Sequence, residues 1–263
     1  MAGEVVSMLT LYQFQCSHYC EKARWALDYK GLAYETRNLI PGPHRRTAER
    51  LAAQSHVPIL VDGGLVDEAK VIQGSDAIID HLDRRWPERR LTPLDTLSAS
   101  LAVEWERYLD AEIGVSIRCW FYYYVLPQRV LATRFLLQGA PWYGRPLYAL
   151  IFPAVRHAMR KMMHIDADNA ARSEARLRSA LERLNGALRG QRYLVGGAFS
   201  RADLAARALL APLCLPELTV PAVADALPAA VARFRAQQED APFFAWVVET
   251  YRRHRAARAA LGK

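Results

Sequence analysis

Cysteine is scarce in this chain: Cys16, Cys20, Cys119 and Cys214 are all that 263 residues contain, at irregular spacing. That excludes a disulfide framework and a four-cysteine zinc site. Long apolar runs are also missing. The longest near-continuous stretch, Leu147 to Val155, is about half the ~20 residues a membrane-spanning helix needs, so no integral membrane segment is expected. The opening residues Met1-Ala2-Gly3-Glu4-Val5-Val6 lack a basic region followed by an apolar core, so no secretory signal is read and a cytoplasmic protein is expected. Fourteen glycines and fourteen prolines without period, against 52% hydrophobic residues, exclude collagen-like and disordered chains.

One absence is local. Between Glu112 and Asp166 there is no carboxylate, yet Arg118, Arg129, Arg134, Arg145, Arg156, Arg160 and Lys161 lie there with ten aromatic residues. The net charge of +8 belongs wholly to the part of the chain after Arg90, because the first ninety residues balance. Such a segment attracts anions or an acidic surface. Nucleic acid is not the expected partner, since the positive residues are scattered through an apolar, proline-containing stretch rather than gathered on one polar helix face.

What is present reads first as alternating strand and helix. Leu9-Thr10-Leu11-Tyr12 is a short strand, and Tyr19, Ala23, Ala26 and Leu27 fall at helical spacing until Lys30-Gly31. Ala33 to Leu39 suits a second strand and Arg45 to Ala53 a second helix. Pro58-Ile59-Leu60-Val61 runs into Asp62-Gly63-Gly64, and Leu65-Val66 is read as the returning strand of a hairpin. Ser75 is read as the N-cap of a helix through Leu82. The order is βαβαββα. Beyond Pro93 the pattern is helical, with helices over Leu97 to Ile113, Leu131 to Gln138, Ala170 to Leu188, Asp203 to Leu213, Ala229 to Gln237 and Phe243 to Ala260. The boundary near Pro87 to Pro93 gives two expected domains, 1–90 and 94–263, the second with an enlarged aromatic and basic segment at about 116–165.

Four short constellations carry the chemistry. Ser17-His18-Tyr19-Cys20 stands where the first strand gives way to a helix, where unpaired N–H groups and the helix dipole favour a thiolate. The alternative is a plain N-cap at Ser17 and a small buried hydrophobe at Cys20. Val57-Pro58 enters a strand, a place where a cis peptide would turn the Val57 N–H and C=O towards an extended ligand; an ordinary trans proline is the alternative. Gln73-Gly74-Ser75-Asp76 offers a small anion site at a helix start. Ser200-Arg201-Ala202-Asp203 has capping-box spacing, with a structural role.

In this order the four resemble the cytosolic glutathione transferase superfamily over nearly the whole chain. Ser17-His18-Tyr19-Cys20-Glu21-Lys22-Ala23-Arg24 looks like its S/C-x-x-S/C-x-x-x-R motif, and Val57-Pro58-Ile59-Leu60 like its cis-proline V-P-x-L. Ser75-Asp76-Ala77-Ile78 is similar to its E-S-x-A-I, with Gly74 in place of the acidic residue, and Tyr193 to Asp203 to its Y-L-x-G-x-x-x-S-x-A-D capping box.

The resemblance implies a thioredoxin-like N-terminal domain, an all-helical C-terminal domain, a homodimer, and glutathione as co-substrate without a metal. It places Ser17 at the position that holds the thiolate, with Cys16 second and Tyr12 third, and Cys20 at the place of a resolving cysteine. Val57 and Pro58 would meet the cysteinyl backbone, Gly74 and Ser75 the γ-glutamyl carboxylate, and His44 or Arg45 the glycyl end. A hydrophobic electrophile, with an anionic one as the further option, would sit between the domains. Among Trp105, Tyr108, Trp120, Phe121, Tyr122, Tyr123 and Tyr124, those chosen for it are Tyr108, Trp120, Tyr123 and Tyr124, with core packing the alternative for each. The competing functions are a glutathione-dependent disulfide reductase using Cys16 or Cys20, and a non-catalytic ligand-binding member of the fold.

Overall fold

The computed structural model describes residues 9–63, 69–215 and 226–255. Its first part is β1 (Leu9–Gln13), α1 (His18–Tyr29), β2 (Tyr34–Asn38), α2 (His44–Leu51), β3 (Ile59–Asp62), β4 (Lys70–Gln73) and α3 (Ser75–Arg85). The sheet runs β2-β1-β3-β4, with β1 and β2 parallel and the other pairs antiparallel. This is the thioredoxin-like arrangement. Leu9 and Leu11 of β1, Leu60 of β3 and Trp25 and Leu27 of α1 form its buried centre.

The second part is helical: α4 (Thr96–Leu109), α5 (Val115–Val125), α6 (Arg129–Leu136), α7 (Gly144–Met162), α8 (Ala167–Ala187), α9 (Arg201–Cys214), α10 (Ala229–Gln238) and α11 (Pro242–Thr250). A π-helical turn, Asp110–Gly114, joins α4 to α5, and another, Tyr251–Arg255, follows α11. Two helices have no counterpart in the sequence reading, α5 and α7. Pro146 lies in the first turn of α7, where proline is tolerated, but Pro153 lies in its interior, where the usual rule stops a helix. Tertiary packing overrides it, because Gly144, Tyr148, Phe152, Val155 and Met159 form one buried stripe at helical spacing.

Other boundaries also move. The return strand is β4, beginning at Lys70, whereas Leu65-Val66 lies outside the described residues. Ser75 is the first residue of α3 and the cap is Gly74, at φ +102°. A side chain at 74 would both be strained at that φ and bring its Cβ within 2.9 Å of Asp76. The helix read as Leu97 to Ile113 ends at Leu109 in the π-turn, and that read to Ala260 leaves regular α-geometry after Thr250.

Helix α9 runs through the middle of the helical part with nearly every residue buried. Its entry is fixed by the capping box, in which Asp203 accepts from the Ser200 N–H at 2.9 Å while also taking the Leu194 N–H at 2.8 Å. Beside that cap, Arg201 donates to Glu106 at 2.5 Å and Asp80 at 2.6 Å, and its N–H donates to the Leu91 carbonyl at 2.8 Å. Lys22 of α1, with no exposed surface, donates to Asp110 at 2.6 Å and lies 2.9 Å from Glu106. Burial alone would lower the Lys22 pKa, but the two carboxylates raise it. This cluster ties α1 and α3 to α4 and α9.

Removing one member leaves buried opposite charges unpaired, so Lys22→Met is expected to lower unfolding free energy by about 3–5 kcal/mol. Arg37→Met, which removes the exposed pair with Glu35, should cost less than about 1 kcal/mol. Chemical denaturation of both variants beside the wild type checks the contrast.

Candidate active site

A cavity of about 270 Å³ opens between the start of α1 and the helices α5, α6 and α7. Ser17 lines it as the N-cap of α1, its Oγ accepting from the Cys20 N–H at 3.3 Å and its own N–H donating to the Phe14 carbonyl at 3.1 Å. The hydroxyl also hydrogen-bonds the Cys20 side chain, so a ligand sulfur would compete with the Cys20 thiol for its hydrogen, beside first-turn N–H groups that have no partner within the helix. Cys16 also lines the cavity. Burial, then the neighbouring Cys20, pushes its thiol up to about 12, so it is protonated at neutral pH.

The Val57–Pro58 bond is cis. Val57 lines the cavity with Ser55 and His56, and that loop is held by Gln73, whose Nε2 donates to the Gln54 carbonyl at 2.6 Å and the His56 carbonyl at 2.8 Å. The Gly74 N–H donates to the Pro58 carbonyl at 3.0 Å, which brings the start of α3 and the buried Ser75 beside this turn. His44 stands at the cavity's other side, its Nδ1 accepting from the Gly42 N–H at 3.0 Å and its ring edge-on to Phe14. Burial lowers its pKa. Arg45, exposed, reaches Glu49 at 3.5 Å and borders the same cavity.

The far wall is apolar: Ile117, Phe121, Tyr122, Phe135, Val155 and Met159. Its polar group is Arg118, half-buried, with no carboxylate partner among the described residues and its guanidinium 6.0 Å from the centre of the Tyr19 ring. Among the described residues, no Asp or Glu lines the cavity. Between Arg118 and Ser17 lies His18, whose Nε2 is 3.1 Å from the Gly114 carbonyl. Burial, then Arg118, lowers its pKa to about 3, so the ring is neutral and Nε2 carries the proton that the carbonyl accepts.

The cavity thus gathers Cys16, Ser17, His44, Arg45 and Val57, with Pro58, Gly74 and Ser75 adjoining. It leaves out the other expected residues. Tyr12 is on β1, paired with Arg37 and Ile59, with its side chain on the face opposite Leu11. Cys20 is fully buried beneath the first turn and burial raises its pKa. Trp120 is a core residue, donating to Glu174 at 3.1 Å and lying 4.8 Å from Phe234. Tyr108 packs on Trp105 with Arg183 4.0 Å over its ring. Tyr123 and Tyr124 line a separate cavity of about 480 Å³ with Arg156 and Arg160. The three consecutive tyrosines cannot share one helix face, and it is Tyr122 that borders both cavities.

Two family models match, glutathione S-transferase N-terminal domain over residues 11–90 and glutathione S-transferase C-terminal domain over residues 147–237. The chain belongs to the glutathione transferase superfamily. Among its relatives, a stringent starvation protein A homolog of Pasteurella multocida is 23% identical over 68% of this chain and 86% of that one. Glutathione S-transferase 1 of Dianthus caryophyllus is 34% identical over 38% of this chain and 45% of that one. The fold is shared with a glutathione S-transferase from Methylobacterium radiotolerans, solved in complex with glutathione sulfonate, at TM-score 0.56 and 20% identity, covering 91% of this chain and 93% of that one.

The neutral His18 makes stability pH-dependent. Between its ordinary value of 6.5 and about 3, the unfolded chain takes up a proton that the folded chain does not. Stability therefore rises with pH across that window and is complete above it. His18→Asn, which removes the titrating ring, is expected to flatten the melting-temperature profile between about pH 6.5 and 4.5. Calorimetric scans of the two proteins across that interval measure it.

Proposed function

We propose that this protein is a glutathione transferase-like enzyme in which Ser17 holds glutathione as its thiolate for attack on a hydrophobic electrophile. The observation that carries the reading is a serine hydroxyl at the N-cap of α1, facing a cavity whose other wall is apolar. A thiolate beside Ser17 gains the hydroxyl hydrogen bond and the positive end of the helix dipole. The Val57 backbone pairs with the cysteinyl residue, Ser75 and the start of α3 take the γ-glutamyl carboxylate, and His44 or Arg45 approaches the glycyl end. Residues 1–90 then form the glutathione domain and 94–263 the electrophile domain.

The thiol proton leaves to water, because neutral His18 with a pKa near 3 is too weak a base to keep it. The sulfur then forms its bond to the electrophilic carbon, and the leaving group departs with the electron pair of the bond that breaks. Arg118, with no carboxylate partner among the described residues and in a cavity that none of their carboxylates lines, favours an electrophile that is itself an anion. Leu94, just before α4, and Leu97 and Leu101 on it, all exposed, supply an apolar edge for a homodimer.

A second reading is a non-catalytic binding protein, favoured by the fact that a relative matched over 68% of this chain, the stringent starvation protein A homolog, is not named as a transferase. The disulfide-reductase reading is disfavoured by the protonated, buried thiols of Cys16 and Cys20.

Ser17→Ala is expected to lower kcat/KM for a generic electrophile by about 10–100-fold, the loss of a hydrogen bond to a charged group. The thiol pKa of bound glutathione should rise, activity should recover at higher pH, and affinity for glutathione should change little. An unchanged rate in Ser17→Ala with loss of turnover in Cys16→Ser would replace the transferase by the reductase. Retention on immobilised glutathione without turnover of any electrophile would leave the binding protein.

The anionic preference has its own test, the kcat/KM ratio for an aryl chloride bearing a carboxylate over its carboxamide analogue. Arg118→Met should bring a ratio well above one down to about one, and an unchanged ratio would remove Arg118 from substrate selection.

A further inference from the structure

The outer face of α7 combines exposed apolar side chains with a rim of positive charge. Opposite its buried stripe lie Pro146, Leu150, Pro153, His157 and Lys161, at the spacing of one helix face. Leu150 is 81% exposed, and Trp142, just before the helix, is 85% exposed. Val130, at 68%, comes from α6 beside them, since Arg129 donates to the Ala149 carbonyl at 2.7 Å. Large apolar side chains this far into solvent are costly to solubility unless something covers them. Around them stand exposed Arg145, Arg156, Arg160 and Lys161, and no carboxylate occurs anywhere from residue 113 to residue 165.

We propose that the outer face of α7, with Trp142 and Val130, docks the protein on an anionic phospholipid surface. Trp142 and Leu150 enter the headgroup boundary, where an indole and an aliphatic side chain are both favoured, and the surrounding arginines and Lys161 meet lipid phosphates. Charge decides for lipid against a second copy of this chain. A two-fold contact sets the same patch against itself, so the cationic rims would face one another.

The helix is fixed for this role from within. The Tyr148 hydroxyl donates to the Pro41 carbonyl at 2.7 Å, locking α7 to the turn before α2. The inner side of the same helix gives Val155, Met159 and Met162 to the cavity beside Ser17. A docked chain therefore holds that cavity about one helix diameter, roughly 10 Å, from the bilayer. An apolar electrophile dissolved in lipid then has a short path to it. That last consequence rests on the transferase reading, whereas the docking itself does not.

Co-sedimentation of the full chain with vesicles of equal parts phosphatidylglycerol and phosphatidylcholine tests the proposal against vesicles of phosphatidylcholine alone. Binding is expected on the anionic vesicles and should be lost at high salt. Leu150→Glu should lower the partition coefficient at least about tenfold by placing a charge in the boundary, and Arg156→Gln and Arg160→Gln about fivefold each. All three residues are exposed, and melting temperatures are to be compared with the wild type to check that the variants are folded. As a second readout, an environment-sensitive dye on Trp142→Cys should shift to the blue on anionic vesicles alone. Equal binding of wild type and Leu150→Glu would overturn the proposal. So would absence of binding to either vesicle, including the case in which Leu150→Glu instead dissociates a dimer in sedimentation velocity. None of these results depends on turnover, so loss of the transferase reading leaves the test intact.

Discussion

A buried lysine between two carboxylates holds the parts of this protein in register. Lys22, on α1, meets Asp110 and Glu106, and Glu106 meets Arg201, which reaches on to Asp80. Taking these groups out of water is expensive, and only their mutual proximity offsets it. The arrangement therefore tolerates little displacement of α1 against α4 and α9. Ser17 is little more than one turn before Lys22, so the position of the candidate nucleophile-holding hydroxyl relative to the opposite wall follows from this cluster.

The π-turn completes the fixation. The Asp110 carbonyl accepts from the Tyr19 hydroxyl at 2.7 Å, the Gly114 carbonyl takes His18, and the Asp110 carboxylate takes Lys22. Residues 18, 19 and 22 of α1 thus all end on one five-residue turn. Gly114 is required there, because a Cβ would stand within 2.8 Å of the Tyr19 ring. A second buried chain links the far end of the molecule to α1: Arg255 meets Glu21 at 2.8 Å, and Glu21 meets Arg24 at 2.7 Å. Burial would raise the Glu21 carboxyl, but the two arginines hold it down at about 2.

Sequence legibility followed locality. The first three strands of the sheet, the Ser200 and Asp203 capping box, and Ser17 at a helix start all depend on a few adjacent residues, and each is where its pattern implies, whereas the fourth strand starts at Lys70 and not at the Leu65-Val66 of the hairpin reading. Helix α7 was not legible, because Pro153 speaks against it and only contacts with Ile40, Pro41 and the cavity wall speak for it. The same holds for the site. Tyr122 and Tyr124 are two residues apart with the same chemistry, and which of them faces Ser17 depends on the rotation of α5, set by Trp120 locking onto Phe234 and Glu174. Arg118 was visible as one of seven positive residues. Its lack of a carboxylate partner among the described residues was not, since charge pairing across helices is a tertiary property. In the sequence His18 is only an unspecified position of the first-helix motif, whereas in the fold it is a neutral donor that fastens α1 to the π-turn.

The central claim concerns one atom, the Ser17 hydroxyl oxygen, and one ligand. A crystal structure of the protein soaked with reduced glutathione tests it directly. The account predicts the sulfur within hydrogen-bonding distance of Ser17 Oγ, the cysteinyl backbone paired with Val57 and the γ-glutamyl carboxylate at Ser75. Glutathione found in a mixed disulfide with Cys16, or with its sulfur turned away from Ser17 towards another group, would contradict it.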